Sequence, residues 1–181
     1  MRQSRSAISA LTVLTLAAAR APSVASAQQA RPPDGWAVGV GAVLIHFTGF
    51  SGIENLRGPA VQLSLLRPRG IGIDFRVAYF VPTGLYDFTG LTSMVGVSVG
   101  VPSGEHLALI KGGVTGFIGG DSDGGGAAAI GPYVGAGIVV RLSGQAGLQV
   151  DGLVRMYSGP DFATTVAPSL GVALMVLPRR R

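Results

Sequence analysis

The stretch Ile71-Gly72-Ile73-Asp74-Phe75-Arg76-Val77-Ala78-Tyr79-Phe80-Val81 decides how this chain is read. Ile71, Ile73, Phe75, Val77, Tyr79 and Val81 alternate with Gly72, Asp74, Arg76, Ala78 and Phe80. One face of an extended strand is therefore wholly apolar, while the other carries two charges. Two more segments repeat the pattern. Leu91, Val95, Val97, Val99 and Val101 stand against Thr92, Gly96, Ser98 and Gly100, and Leu148, Val150, Val154 and Met156 stand against Gln149, Asp151, Arg155 and Tyr157.

Five further segments, Trp36 to Phe47, Pro59 to Leu66, Leu107 to Ile118, Ile130 to Leu142 and Val166 to Leu177, bring the number of expected strands to eight. Gly112-Gly113 predicts a bulge in the fifth, and Pro168 an interruption in the last. Connections at Pro68-Arg69-Gly70, Ser103-Gly104-Glu105 and Ser143-Gly144-Gln145 are short, and those at Thr48 to Gly58, Pro82 to Gly90, Gly119 to Ala129 and Gly159 to Thr165 are longer. Strict alternation of long and short predicts an all-β, eight-stranded antiparallel up-and-down transmembrane β-barrel with periplasmic termini and short periplasmic turns. Greek-key crossovers of a sandwich do not give this order. Glycine, proline or a charge interrupts every apolar run before it reaches the length of a membrane helix.

The beginning of the chain has a different character. Arg2 and Arg5 precede an apolar run from Ala7 to Ala19, and Ala25-Ser26-Ala27 closes the segment, which reads as a signal peptide over residues 1–27. The expected organisation is then a short periplasmic segment over 28–35, the barrel over 36–177 and a basic tail over 178–181. Three of the 14 Lys and Arg residues leave with the signal peptide, so 11 remain against 9 Asp and Glu. That balance, without a basic patch interleaved with aromatics, excludes nucleic acid as a partner. Cysteine is absent, so backbone hydrogen bonds and packing alone hold the exported chain.

Phe47, Phe50, Tyr79, Phe80, Tyr86, Phe88, Phe117, Tyr133, Tyr157 and Phe162 fall near the expected outer ends, and Trp36 near the opposite end. Such rings suit the boundary between water and lipid or the mouth of the barrel. With these features the mature chain resembles the small outer-membrane barrel families typified by the transmembrane domain of outer-membrane protein A. The resemblance implies residence in the bacterial outer membrane, contact with its lipids and lipopolysaccharide, and assembly by the barrel-assembly machinery. It departs at the end of the last strand, where those families carry an aromatic residue and this chain has Val176-Leu177-Pro178-Arg179-Arg180-Arg181.

Inside such a barrel, strands three and seven face each other. Asp74, Arg76, Asp151 and Arg155 are therefore expected as a polar cluster in the lumen, paired as Arg76 with Asp151 and Arg155 with Asp74, with Lys111 and Arg141 joining it. Gly39, Gly41, Gly72, Gly96, Gly100, Gly135, Gly137 and Gly171 are expected to point inward where a narrow barrel lacks room. Outside, Glu54, Asp87, Asp121, Asp123 and Asp161 form an acidic rim able to share divalent cations with lipopolysaccharide phosphates. Asp121-Ser122-Asp123-Gly124-Gly125-Gly126 lacks the closing glutamate of a calcium loop, and no cofactor or metal site is read.

The expected function is structural: an outer-membrane barrel with a filled lumen that presents outer loops for envelope integrity or surface contact, neither an enzyme nor a diffusion pore. A soluble lipocalin-like barrel binding an apolar ligand is one alternative, and it requires Ile71, Ile73 and Phe75 inside. A lipid-modifying barrel enzyme is the second, and it requires His46 to meet an acid at the outer rim. His106 falls in an expected periplasmic turn.

Overall fold

The computed structural model describes residues 31–47, 55–80, 89–120, 125–160 and 162–179. Eight strands run through them: β1 (Gly35–His46), β2 (Asn55–Leu66), β3 (Ile71–Phe80), β4 (Thr89–Ser103), β5 (His106–Gly120), β6 (Gly126–Arg141), β7 (Ala146–Gly159) and β8 (Phe162–Val176). Each pairs antiparallel with the next, and β8 returns to β1, closing the barrel. Closure gives every strand two neighbours, which matters for a chain without disulfides.

Two of the tight connections turn on glycine. Gly70 after β2 and Gly104 after β4 have φ of 103° and 61°, which a residue with a Cβ adopts only with strain. On the other rim the strands reach further than the turn residues suggested. β2 starts at Asn55 rather than Pro59, because Gly58 and Pro59 pair with Val43 and Ala42 of β1, while the ladder to β3 begins only at Ala60. A proline can hold a place in a ladder on one side alone. Gly119 and Gly120 likewise pair with Ala127 and Gly126.

The alternation of long and short connections fails at its last member. Thr165 pairs with Tyr157 and Phe162 with Gly159, so the connection expected over 159–165 shrinks to residues 160–161, with a register shift between Tyr157 and Gly159. Threonine and alanine suit an extended ladder as well as a loop, and composition did not distinguish them. The expected bulge at Gly112-Gly113 is also absent. Both residues stay in unbroken register with β4 and β6, and Gly113 serves packing: a Cβ there would meet Gly96 Cα at 2.5 Å and the Tyr133 ring at 2.9 Å. Pro168 does not interrupt β8, since it pairs with Val154 of β7 and lies one residue beyond Ser169, where pairing with β1 stops.

The alternation sorts the faces. Ile71, Ile73, Phe75, Val95, Val97 and Val99 point outward and are 45–67% exposed, whereas Asp74 and Arg76 are 5% exposed on the inside. The soluble lipocalin-like alternative requires the reverse. Apolar side chains cap the interior at both ends. Leu66, Leu107, Leu109, Val139, Met175 and Leu177 cluster at the end of the short turns, and Val43, Ile45, Phe47, Leu56, Phe80, Phe117 and Tyr157 cluster at the other end. Phe47 stacks on Tyr157 at 5.6 Å between ring centroids, and Phe117 meets both edge-on at 6.1 Å. Of the aromatics expected near the outer ends, Phe47, Phe80, Phe117, Tyr133 and Tyr157 thus fill the interior, and Tyr79 faces outward. Trp36 faces outward at the opposite end; Phe50, Tyr86 and Phe88 lie outside the described residues.

Candidate functional site in the barrel interior

Between the two apolar caps lie charges that the strand pattern turns inward. Asp74 and Arg76 come from β3, Lys111 from β5, and Asp151 and Arg155 from β7, and all are buried. A charge removed from water must be paired and hydrogen-bonded. Four of these five are paired with each other. Lys111 Nζ lies 3.3 Å from Asp74 Oδ1 and 3.0 Å from Asp151 Oδ1, and a guanidinium nitrogen of Arg76 donates to Asp151 Oδ2.

Neutral side chains on neighbouring inward positions extend this chain of contacts. Ser64 donates to Asp74 at 2.6 Å, Gln149 Nε2 donates to Asp151 at 2.8 Å, and Arg76 Nε donates to Gln62 Oε1 at 3.0 Å. The network spans β2, β3, β5 and β7, so it crosses the lumen. Two glycines make room for it. A Cβ on Gly171 would stand 2.6 Å from Arg76 Nη1, and one on Gly137 would collide with the Asp151 carboxylate. Gly39, Gly41, Gly72, Gly96, Gly100 and Gly135 are equally crowded by backbone or side-chain atoms of the strands beside them.

Arg155 stands apart. The pair expected with Asp74 is not formed; Asp74 binds Ser64 and Lys111 instead. Arg155 Nε donates to Ser169 Oγ at 3.0 Å, and Nη1 lies 3.4 Å from Thr92 Oγ1 and 3.3 Å from the Tyr157 hydroxyl. The Tyr157 hydroxyl in turn lies 3.3 Å from Thr92 Oγ1 and 3.2 Å from Thr115 Oγ1. The reason is the tilt of the strands. Paired residues lead from Asp74 to Gly96, Gly113, Tyr133 and finally Arg155. In a tilted barrel such a row spirals along the axis, so Arg155 lies nearer the aromatic cap. Arg141 does not reach the central network by any of these contacts; it lies near the short turn after β6 and donates to the Gly144 carbonyl.

Gln62, Ser64, Thr92, Thr115, Gln149 and Ser169 complete the interior without having been singled out. Their signal was available, since each occupies a position of the inward period. His46 is on the outer face of β1, with Nδ1 3.0 Å from Asn55 Oδ1, an amide rather than an acid. His106 begins β5, beside the short turn. The rim carboxylates Glu54, Asp87, Asp121, Asp123 and Asp161 lie outside the described residues.

A closed ring of eight antiparallel strands, apolar outside and charged inside, has counterparts among solved structures. Neisserial surface protein A is similar over 81% of this chain and 99% of its own, with a TM-score of 0.58 at 12% identity. The fold is that of the small outer-membrane barrels. OprG from Pseudomonas aeruginosa aligns over 82% of this chain and 98% of its own, with a TM-score of 0.58 and 11% identity. The N-terminal barrel domain of OprF from the same organism aligns over 77% and 96%, with a TM-score of 0.51 and 11% identity. No protein-family model matches the sequence, and comparison with curated proteins returns no match.

Proposed function

We propose that this chain is an integral protein of the bacterial outer membrane with a structural or surface-contact role and a lumen closed to diffusion. Inverted polarity carries the reading: a belt of Val, Ile, Leu and Phe faces outward while ion pairs are buried inside. Water does not favour such a surface, and lipid does. The apolar caps and the layer of side chains between them support a filled interior, in keeping with the width available to eight strands. Outer-membrane lipids and lipopolysaccharide are its surroundings, residues 1–27 direct its export, and the barrel-assembly machinery inserts it. It is not an enzyme; the part given to His46 is that of an amphipathic residue at the rim.

Three measurements test this reading. The folded protein in detergent shifts in gel mobility on boiling, and it remains with the outer membrane on fractionation. In planar bilayers it shows no steady conductance. A protein recovered from the periplasm without detergent, or one with stable open channels, overturns the corresponding half.

A further inference from the structure

The central ion pairs are self-sufficient, and Arg155 is not among them. Asp74 and Asp151 are shared between Lys111 and Arg76, and among the described residues no carboxylate contacts Arg155. Yet Arg155 is fully buried, at 0% exposure. Its contacts are hydroxyl groups, which accept hydrogen bonds but bring no negative charge. The stacked Phe47 and Tyr157, with Phe117 against both, stand between Arg155 and the outer connections. A buried guanidinium without a counter-charge is among the most costly arrangements in a protein.

Other polar atoms of the interior also lack protein partners. The donors Arg155 Nη2 and Arg76 Nη1, the Tyr133 hydroxyl, and the acceptors Asp74 Oδ2 and Gln149 Oε1 are all buried, and none is bonded within the described residues. The Tyr133 hydroxyl lies over Gly96 of β4, within electrostatic reach of Asp74 and Asp151 as well as of both arginines. Both arginines also reach the inner face of β8. Arg155 is bonded to Ser169, and Arg76 Nη1 stands over Gly171, the next inward position. Successive inward residues of a strand are about 7 Å apart, so the two guanidinium groups lie on adjacent levels of the same wall. Water satisfies the donors but leaves the charge.

We propose that the barrel interior holds one small monovalent anion, chloride under physiological conditions, between the guanidinium groups of Arg155 and Arg76. The anion is enclosed as the strands close, so it acts as a structural counter-ion rather than as cargo. Gluconate is far larger than a halide and serves as the inert control.

The test compares urea unfolding of the refolded barrel in detergent in chloride, bromide and gluconate at equal ionic strength. For a site with a dissociation constant on the order of 1 mM, about 100 mM halide raises the folded-to-unfolded ratio roughly 100-fold over gluconate. Arg155→Gln abolishes that difference and leaves the general effect of salt. Because the variant could simply fail to fold, crystals of the unaltered protein grown in bromide give the second readout: one anomalous peak about 3.3 Å from guanidinium nitrogens of Arg155 and Arg76, a normal length for a bond from nitrogen to an ion larger than oxygen. Equal stability in chloride and gluconate, or water alone at that position in the bromide crystals, overturns the proposal.

Discussion

Asp151 and Arg155 are two inward positions apart on β7, yet their charges are held in different ways. Asp151 accepts from Lys111, Arg76 and Gln149, so opposite charges and donors surround it. Arg155 is surrounded by Thr92, Tyr157 and Ser169, which are neutral. The first layer is balanced by the fold itself and binds four strands together. The second is balanced by the protein neither in charge nor at every donor, since Arg155 Nη2 has no partner among the described residues. Burial therefore does not set the electrostatics of an inward position by itself; what the opposite strands carry at the same height does.

Breaking the balanced layer has the largest expected effect. Asp151→Asn leaves Lys111 and Arg76 facing a neutral amide, and a buried charge stripped of its partner costs about 3 to 5 kcal/mol. Adding Arg76→Met to the same chain recovers part of the loss, because Lys111 keeps Asp74. Urea unfolding of the two variants in detergent measures both steps; equal losses would contradict a shared network.

Outside, a new charge has no layer to join. Val95→Arg, on an outward face that is 55% exposed, costs about 2 to 4 kcal/mol at the midplane of a bilayer, while Val101→Arg, nearer the short turns, costs about 1 kcal/mol or less. Refolding into lipid vesicles checks the gradient, and similar penalties at the two depths would argue against a membrane around this surface.

In the hydroxyl layer the effects are smaller. Tyr157→Phe keeps the ring stack on Phe47 but removes an acceptor from Arg155, for an expected loss of about 1 to 3 kcal/mol. Smallest of all is the coupling between Asp74 and Arg155. A double-mutant cycle on this pair is expected to give less than about 0.5 kcal/mol, because the residues share no contact. A larger coupling would place the two arginine environments in one network.

Much of the barrel was legible in the sequence. The alternation in β3, β4 and β7 assigns each residue to a face, and eight runs separated by turn residues suffice for an up-and-down ring. The opposition of strands three and seven was enough to bring Arg76 to Asp151. What period two cannot supply is height. Asp74 is the fourth of ten residues in β3 and Arg155 the tenth of fourteen in β7, and the stagger between strands, written in pairings such as Gly113 with Tyr133 and Tyr133 with Arg155, fixes the levels on which they sit. Strand ends were obscured for a related reason: the glycines and threonines that mark turns also suit ladders, as Gly119, Gly120 and Thr165 show.

The distribution of the central network over β2, β3, β5 and β7 also bears on how the ring can be made. Hairpins added one at a time would carry their charges into the bilayer with half of their partners still waiting outside. Through β5, Lys111 has Asp74, but Arg76 waits for Asp151 until the seventh strand arrives. A chain cut short after β6 therefore leaves Arg76 without its carboxylate, and the seventh strand completes the remaining pairs of the network before β8 closes the ring.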